Sequence, residues 1–258
     1  MVSPRRLIGL VLLVAGGSLT QVLPAAEPGL YEMRVYYSPE GKLDRLHARF
    51  RDHTMKLFAK HGMTNVGYFT PQGDNPERKL VYFLAYPDRA ARDASWKAFL
   101  ADPDWRAAHA ASEKDGTLVA KIVEQFLVPT DYSPALAVDS KGNRVFELRT
   151  YTATAGNLAA LDSRFRDHTM KLFAKHGMTN LVYWHRAEGS PHADRMLVYL
   201  LAHSSREAAK ASFDAFRQDP DWTAAKTASE TKAGGSLTEA KDGVLSEFLV
   251  PTDYSPWK

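Results

Sequence analysis

Hydrophobic and polar residues follow two periods along the chain, and each period predicts one type of element. Tyr31 to Tyr37 is a β-strand run. From Gly41 to about His61, apolar residues recur three, four and seven positions apart, which predicts a helix with one buried stripe: Leu43, Leu46, Phe50 and Leu57. Gly62 follows this helix, where a left-handed C-terminal residue is favoured.

The next hundred residues continue with strands and helices in an order that defines a fold. The pattern predicts strands at Val66 to Thr70 and Leu80 to Tyr86, a helix at Asp88 to Leu100, a short helix from Asp102-Pro103, and a strand at Ile122 to Val128. The order is βαββαβ, the ferredoxin-like arrangement of a four-stranded antiparallel sheet with helices on one face. The strand from Leu80 is apolar on both sides, so the other face of the sheet is expected to be covered too.

A long internal repeat divides the chain into two units. Arg49 to Asn65 and Arg164 to Asn180 are the same seventeen residues, and FLVPTDYSP occurs at Phe126 and again at Phe248. We therefore predict an α+β protein with residues 27–134 as a first ferredoxin-like domain, 135–145 as a linker and 146–258 as a second domain. The two antiparallel sheets are expected to pair with each other as an intrachain α+β barrel.

The first 26 residues have the features of an export signal. Arg5 and Arg6 precede an apolar run from Leu7 to Val14, and small residues end at Pro24-Ala25-Ala26. The run is shorter than the roughly 20 residues that cross a bilayer. We expect cleavage near Glu27, an exported protein that is periplasmic or secreted, and no membrane span after cleavage.

Composition excludes several classes of chemistry. The chain has no cysteine, which rules out disulfides, a cysteine nucleophile and thiolate-bound metals. Its formal charge is +3, and removal of residues 1–26 takes away two arginines and no acid, leaving +1. A chain so close to neutral has no electrostatic footprint for nucleic acid.

An ordered set of short motifs, present twice, resembles the NIPSNAP family of the dimeric α+β barrel superfamily. In the first unit these are Tyr31-Glu32-Met33-Arg34-Val35-Tyr36, His53, Lys60-His61-Gly62, Val66-Gly67-Tyr68-Phe69, Leu80-Val81-Tyr82 and Asp102-Pro103-Asp104-Trp105. The resemblance implies chiefly a fold. Eukaryotic members look like mitochondrial interaction and trafficking proteins, and the wider superfamily includes cofactor-independent monooxygenases, isomerases and haem enzymes. Fold likeness does not choose among these activities.

His53 and His168 are the candidate catalytic residues. Each continues the apolar stripe of its helix, so each is expected to point toward the sheet, either as a core histidine or as a base for a bound ligand. Gly67 stands at the position that Val182 occupies in the second unit, and it leaves more room beneath the first helix. We therefore expect any cavity in the first unit, beside His53.

Two sets of residues are candidates for ligand binding. Glu32, Arg34 and Tyr36 alternate along one strand face, and Glu147, Arg149 and Tyr151 repeat them; they could bind a small polar molecule or lock the two sheets together. Strand tyrosines could line an apolar cavity or fill the core: Tyr68, Tyr82, Tyr183 and Tyr199. The second unit is richer in histidine, but its spacings match no metal-binding pattern, so we expect no metal.

Two functions remain open at the level of sequence. The first is a binding or assembly module for a small apolar ligand or a protein partner, because the chain has no nucleophile constellation, phosphate loop or cofactor fingerprint. The second is a cofactor-independent enzyme of the monooxygenase or isomerase type, acting on a small apolar or aromatic molecule with His53 or His168 as base. Neither requires a cofactor.

Overall fold

A computed structural model describes residues 27–138 and 142–258. The predicted export signal lies outside the described residues, as does a part of the predicted linker. Within this part of the chain, no helix is both long enough and apolar enough to cross a membrane.

The first unit contains the elements that the periodicity predicts, in the order βαββαβ. They are β1 Leu30–Tyr37, α1 Leu43–Arg49, a π-helical turn Phe50–Thr54, α2 Met55–Lys60, β2 Thr64–Pro71, β3 Lys79–Tyr86, α3 Arg89–Ala101, α4 Pro103–Glu113 and β4 Lys121–Pro129. Asp88 and Asp102 accept hydrogen bonds from backbone N–H groups at the starts of α3 and α4, which explains why the helices begin there.

The second unit repeats this order. Its elements are β5 Val145–Thr152, α5 Leu158–Arg164, a π-helical turn Phe165–Thr169, α6 Met170–Lys175, β6 Thr179–Arg186, β7 Met196–His203, α7 Arg206–Gln218, α8 Pro220–Ala233 and β8 Val244–Pro251. Ser205 and Asp219 take the two capping positions.

The described strands form one closed barrel in the order β1-β3-β2-β8-β5-β7-β6-β4. Each unit supplies four neighbouring strands, and the units join edge to edge: Phe69 of β2 pairs with Pro251 of β8, and Leu127 of β4 pairs with Arg186 of β6. The predicted intrachain α+β barrel is therefore confirmed. Closure leaves no free sheet edge, which is a common way for β proteins to avoid unwanted pairing.

The barrel interior is a packed core built from both units. Phe83 stacks on Trp184 at a centroid distance of 5.4 Å, and Phe69 contacts Phe146 at 4.8 Å. Trp257, near the C-terminus, is also buried in this cluster. A separate apolar layer lies between each half of the barrel and its own helices. Both faces of β3 are thus buried, as its sequence predicted.

The repeated motif after the last strand of each unit connects that unit to the other one. Asp131 receives hydrogen bonds from Arg166 at 2.7 and 2.8 Å, and Asp253 receives two from Arg51 at 2.6 and 2.7 Å. The hydroxyl groups of Ser133 and Ser255 accept from backbone N–H groups of the opposite unit, on Tyr183 and Tyr68 respectively. The motif is therefore a reciprocal clasp between the units.

The prediction that His53 and His168 point toward the sheet is wrong, because the helix contains a π-helical turn. The Met55 N–H donates to the Phe50 carbonyl, five residues back rather than four. The extra residue moves the buried positions after Phe50 to Thr54, Leu57 and Phe58, and His53 turns out to solvent. The second unit repeats this geometry, and His168 is exposed.

Candidate functional site

Glu32 is the centre of a buried polar network between β1 and α3. Its carboxylate accepts from Arg34 at 2.5 Å, from Arg92 at 2.6 and 3.0 Å, from the Trp96 indole at 2.9 Å and from the Tyr86 hydroxyl at 3.1 Å. Burial alone raises the pKa of Glu32, but the hydrogen bonds and charges of Arg92 and Arg34 outweigh it and lower the pKa. The carboxylate is saturated and stays ionised.

Glu32, Arg34 and Tyr36 share one strand face, as predicted, but they do not lock the two sheets together. That face is directed outward to the helices, while Tyr31 and Met33 on the opposite face enter the barrel interior. The reason is the closure of the barrel: apolar side chains fill its interior, so the alternating polar residues lie on the helix side.

A cavity of about 490 Å³ opens beside this network, between the barrel and the helices of the first unit. Its aromatic walls are Tyr36, Phe50, Phe58, Trp96, Phe99 and Trp105. Its polar lining is Arg34, Arg49, Arg92, His109, Glu113 and Glu124. We call it the first cavity.

Guanidinium groups lie against the aromatic walls of the first cavity. Arg34 is 4.5 Å above the Trp96 ring, and Arg49 is 5.5 Å from that of Trp105. Arg49 also donates to Glu113 at 2.8 Å. The Nε atoms of Arg34 and Arg49 are buried without a hydrogen-bond partner among the described residues. The cavity thus combines flat apolar surfaces with guanidinium groups and the acids that pair with them.

Only some of the predicted site residues meet in the first cavity. Arg34 and Tyr36 line it, and Glu32 supports it from behind. Tyr68 and Tyr82 stack on each other at 5.3 Å in the layer under the helices, where burial raises the pKa of both phenols. These two tyrosines are core residues rather than cavity walls.

The corresponding residues of the second unit are arranged in the same way, with different partners. Glu147 accepts from Arg149 and Ser246, both at 2.5 Å, and its other oxygen is 3.0 Å from the Nε2 atom of His203. Arg149 also donates to the hydroxyls of Tyr199 and Tyr151, at 2.9 and 3.2 Å. Tyr183 stacks on Tyr199 at 5.0 Å, within the core.

His53 and His168 line neither this cavity nor its counterpart. His53 borders a groove of about 260 Å³ between α1 and α4 on the outside of the protein, and His168 borders the equivalent groove of about 350 Å³. The argument from Gly67 is also wrong. A side chain there would meet the Phe69 ring at 2.6 Å and Trp257 at 3.4 Å, so the space is on the interior side and is filled.

Sequence reasoning missed most of the polar lining of the first cavity. Arg49, Arg92 and the pair of His109 and Glu113 come from three different helices, and no spacing along the chain connects one of these helices with another. One signal was available: Arg49 lies in the identical repeat and continues the apolar stripe, which marks a charged residue on a buried face.

No group of histidine and acidic side chains in residues 27–138 and 142–258 is arranged to hold a metal ion. The family profile of NIPSNAP matches residues 31–134 and 146–256. The chain belongs to the NIPSNAP family. A comparison with curated proteins found no significant sequence match.

Solved structures place this NIPSNAP chain among α+β barrels. A Lactobacillus acidophilus protein, described provisionally as a monooxygenase, is 12% identical with a TM-score of 0.56, over 88% of this chain and 94% of that one. An anthrone oxidase-like protein is 10% identical with a TM-score of 0.55, over 89% and 94%. A NIPSNAP domain protein from Burkholderia xenovorans is 25% identical with a TM-score of 0.35, over 41% of this chain and 98% of that one. At these identities, the first two matches establish the fold alone.

Proposed function

We propose that this NIPSNAP protein is a binding module that takes up a small, planar, largely apolar molecule in the first cavity. The observation that carries the proposal is the open space of about 490 Å³ with six aromatic walls, since ligand pockets in proteins span about 300–1,000 Å³ and are lined mainly by apolar and aromatic groups. A filled core would have argued against a small ligand.

The polar lining specifies the rest of the ligand. The guanidinium groups of Arg34 and Arg92 on the lining favour a ligand with a hydrogen-bond acceptor, because hydrogen bonds from a charged donor are stronger than neutral ones. Glu32 holds Arg34 and Arg92 in place, so the donors are fixed before the ligand enters. We therefore expect a flat aromatic molecule with one acceptor group, such as a ketone or a carboxylate.

The test is a pair of matched substitutions at equivalent positions. Ile122 lines the first cavity and is 47% exposed, while Val244 occupies the same strand position in the second unit and is 45% exposed. Ile122→Trp should fill the mouth of the cavity, and Val244→Trp adds the same bulk elsewhere. Both are surface positions, so both variants are expected to fold.

Ligand-observed NMR with a library of planar aromatic fragments provides the measurement. Fragments that bind the wild type and Val244→Trp, but lose at least about tenfold in affinity for Ile122→Trp, a loss of roughly 1.4 kcal/mol, support the proposal. Equal binding to all three proteins, or no binding of any fragment, would exclude the first cavity as the site.

A second candidate function, a cofactor-independent enzyme, is favoured by one observation. His109 lines the first cavity, stacks edge-on against Trp105 at 5.3 Å and is 3.5 Å from Glu113. It is therefore a better placed base than His53 for a molecule bound between the helices and the sheet. The likeness in fold to the proteins described as a monooxygenase and as anthrone oxidase-like makes oxygen-dependent turnover the reaction to test.

His109→Gln separates the two functions. An enzyme should consume oxygen with a bound aromatic substrate and lose most of its rate in the variant, since general-base groups contribute about 10²–10⁴-fold. A binding module should show no turnover, and its affinity for the same fragments should change little.

We also propose that the protein is exported, because its first 26 residues have the features of a signal. Mass spectrometry of the protein isolated from its host should give an N-terminus near Glu27. Intact residues 1–26 would contradict this proposal.

A further inference from the structure

The second unit contains a cavity of its own, at the place where the first unit is filled. It measures about 430 Å³ and is lined by Glu147, Arg149, Arg206, Glu207, Lys210, Phe213, Arg217 and Phe248. We call it the second cavity. In the first unit, the Arg92 side chain extends from α3 to Glu32, whereas its equivalent on α7 is Ala209. The missing side chain leaves room beside Glu147.

The charges around the second cavity also differ from those of the first unit. Arg206, Lys210, Phe213 and Arg217 are spaced four, three and four apart, so they form one face of α7 that is turned to the cavity. In α3 the corresponding positions are Arg89, Asp93, Trp96 and Leu100. An acid and a leucine are thus replaced by two cations, while Lys97 of α3 is replaced by Asp214, which pairs with both of them. On the facing strand, Ser246 stands where the first unit has Glu124, which removes another acid.

The guanidinium group of Arg149 lines the second cavity and has N–H groups that make no hydrogen bond to the described residues. Arg149 donates one hydrogen bond from each of its three nitrogens, to Tyr199, Glu147 and Tyr151. A guanidinium has five N–H groups, so two remain for a ligand. The side chain is 13% exposed, which leaves it reachable from the cavity.

Two carboxylates line this space, and a third, Asp214 on α7, pairs with Lys210 and Arg217 from outside the lining. Glu147 is held by Arg149, Ser246 and His203, and hydrogen bonds and charge from these partners lower its pKa against the effect of burial. Glu207 lies in the first turn of α7. Asp214 accepts hydrogen bonds from Lys210 at 2.8 Å and from Arg217 at 2.5 Å, so four cations stand against three acids and the formal excess is one positive charge.

We propose that the second cavity is an anion site for a small organic acid, distinct from the site in the first unit. The acid group would lie between Arg149 and the cations of α7, because a carboxylate accepts two hydrogen bonds from a guanidinium in a planar geometry. The apolar body would lie against Phe213 and Phe248, which line the same space. A neighbouring cavity of about 490 Å³ shares Arg149, Phe213 and Arg217 and extends the cationic surface to Lys226.

The probe for this site is benzoate, with benzamide as an uncharged molecule of the same shape. Titration calorimetry and NMR chemical-shift mapping at low ionic strength should show benzoate binding at Phe213 and Phe248, with benzamide at least about tenfold weaker. Because exposed charges are screened, the affinity for benzoate should fall as salt is raised.

Variants that restore the residues of the first unit provide the controls. Ala209→Arg should place a guanidinium beside Glu147, fill the cavity and abolish the shifts that benzoate causes at Phe213 and Phe248, whatever benzoate does in the first cavity. Arg217→Leu, alone or with Arg206→Ala, removes exposed cations and should weaken benzoate about two- to fivefold per charge, with no effect on fragments bound in the first cavity. Leu100→Arg adds a cation to the first unit and should leave benzoate binding in the second cavity unchanged.

Equal affinity for benzoate and benzamide would overturn the proposal, as would undiminished binding to Arg206→Ala/Arg217→Leu. The double variant keeps the test decisive if Ala209→Arg fails to fold, because both of its positions are exposed. If benzoate does not bind in the second cavity, the proposal for the first cavity still stands, because the Ile122→Trp comparison tests the first unit separately.

Discussion

At Glu32, one carboxylate with four side-chain partners fixes both the first cavity and the packing of α3. The residue is completely buried, and among the described residues it is the one fully buried acid that pairs with Arg34 and Arg92. The other acidic partners of these two cations, Glu124 and Asp93, are about half exposed. Removing the negative charge therefore costs more than the loss of a single hydrogen bond.

Glu32→Gln should lower the free energy of unfolding by about 3–5 kcal/mol at pH 7, the range for breaking a buried ion pair. Because the pKa of Glu32 in the folded protein is below its value in the unfolded chain, about 4.3, the stabilisation is full above that pH and is lost as the pH falls further. The difference between wild type and variant should thus shrink below about pH 4. Urea unfolding at a series of pH values measures it.

Glu147→Gln serves as the matched control, since Glu147 has one guanidinium partner where Glu32 has two. Its cost at pH 7 should be smaller. A difference between wild type and Glu32→Gln that stays constant from pH 7 to pH 3 would contradict the prediction, because it would mean that the pKa of Glu32 is the same in the folded and unfolded states.

The paired histidines give a second prediction at this scale. His53 and His168 are both exposed, so His53→Ala and His168→Ala should each change the free energy of unfolding by no more than about 0.5 kcal/mol. Chemical unfolding of the two variants measures this. Losses of about 1–3 kcal/mol would instead mean that the imidazoles are buried and hydrogen-bonded.

Among the elements, the π-helical turn of each unit decides which residues of the repeated segment face the core. Leu46, Phe50, Thr54 and Phe58 are all buried, and each is four residues after the one before. In a regular α-helix, residues on one face are separated by intervals of three and of four residues in alternation. Thr54 donates to the carbonyl of Arg49 at 3.1 Å, and Thr169 does the same to Arg164. The turn is therefore an identical feature of both units.

Deleting His53 should be tolerated better than deleting a residue of an α-helical stretch. The deletion removes the extra residue of the π-helical turn, so a regular α-helix keeps Leu46, Phe50, Thr54 and Phe58 on one buried face. Deleting Ala59 from α2 instead rotates Lys60 and His61 away from their positions beside the start of α4. Thermal unfolding should show a clearly higher Tm for the His53 deletion than for the Ala59 deletion. The reverse order would mean that the π-helical turn is itself required.

On the scale of the whole molecule, neither unit is complete without the other. The exposed edges of each four-stranded sheet, β2 and β4 in the first unit, pair with β8 and β6 of the second. The clasp motifs add two ion pairs across the units, Arg51 with Asp253 and Arg166 with Asp131. An isolated unit would leave two edges and half of an apolar interior open to water.

Residues 27–258 should be monomeric in dilute solution, whereas residues 27–134 alone should dimerise or aggregate. The reason is that a second copy of the first unit offers the same edges that the second unit provides in the intact chain. Light scattering distinguishes these states. A stable monomer of residues 27–134 would show that the unit folds without closing a barrel.

The elements, the repeat and the barrel could all be predicted from the sequence. These follow from local periodicity and from the apolar character of both faces of Leu80 to Tyr86, which only a second sheet could cover. That Glu32, Arg34 and Tyr36 share one strand face could also be predicted, because side chains alternate along a strand.

The position of the site could not be predicted from the sequence, because it depends on how distant elements pack. Which strand face becomes the interior depends on barrel closure, so the position of Glu32 on the helix side could not be read from β1 alone. The π-helical turn shifts the buried face of the helix by one residue and so exposes His53. The amino-acid composition of the helix does not indicate this shift. Arg49, Arg92 and His109 meet in one cavity because three helices pack on one sheet, and packing between distant segments leaves no period in the sequence.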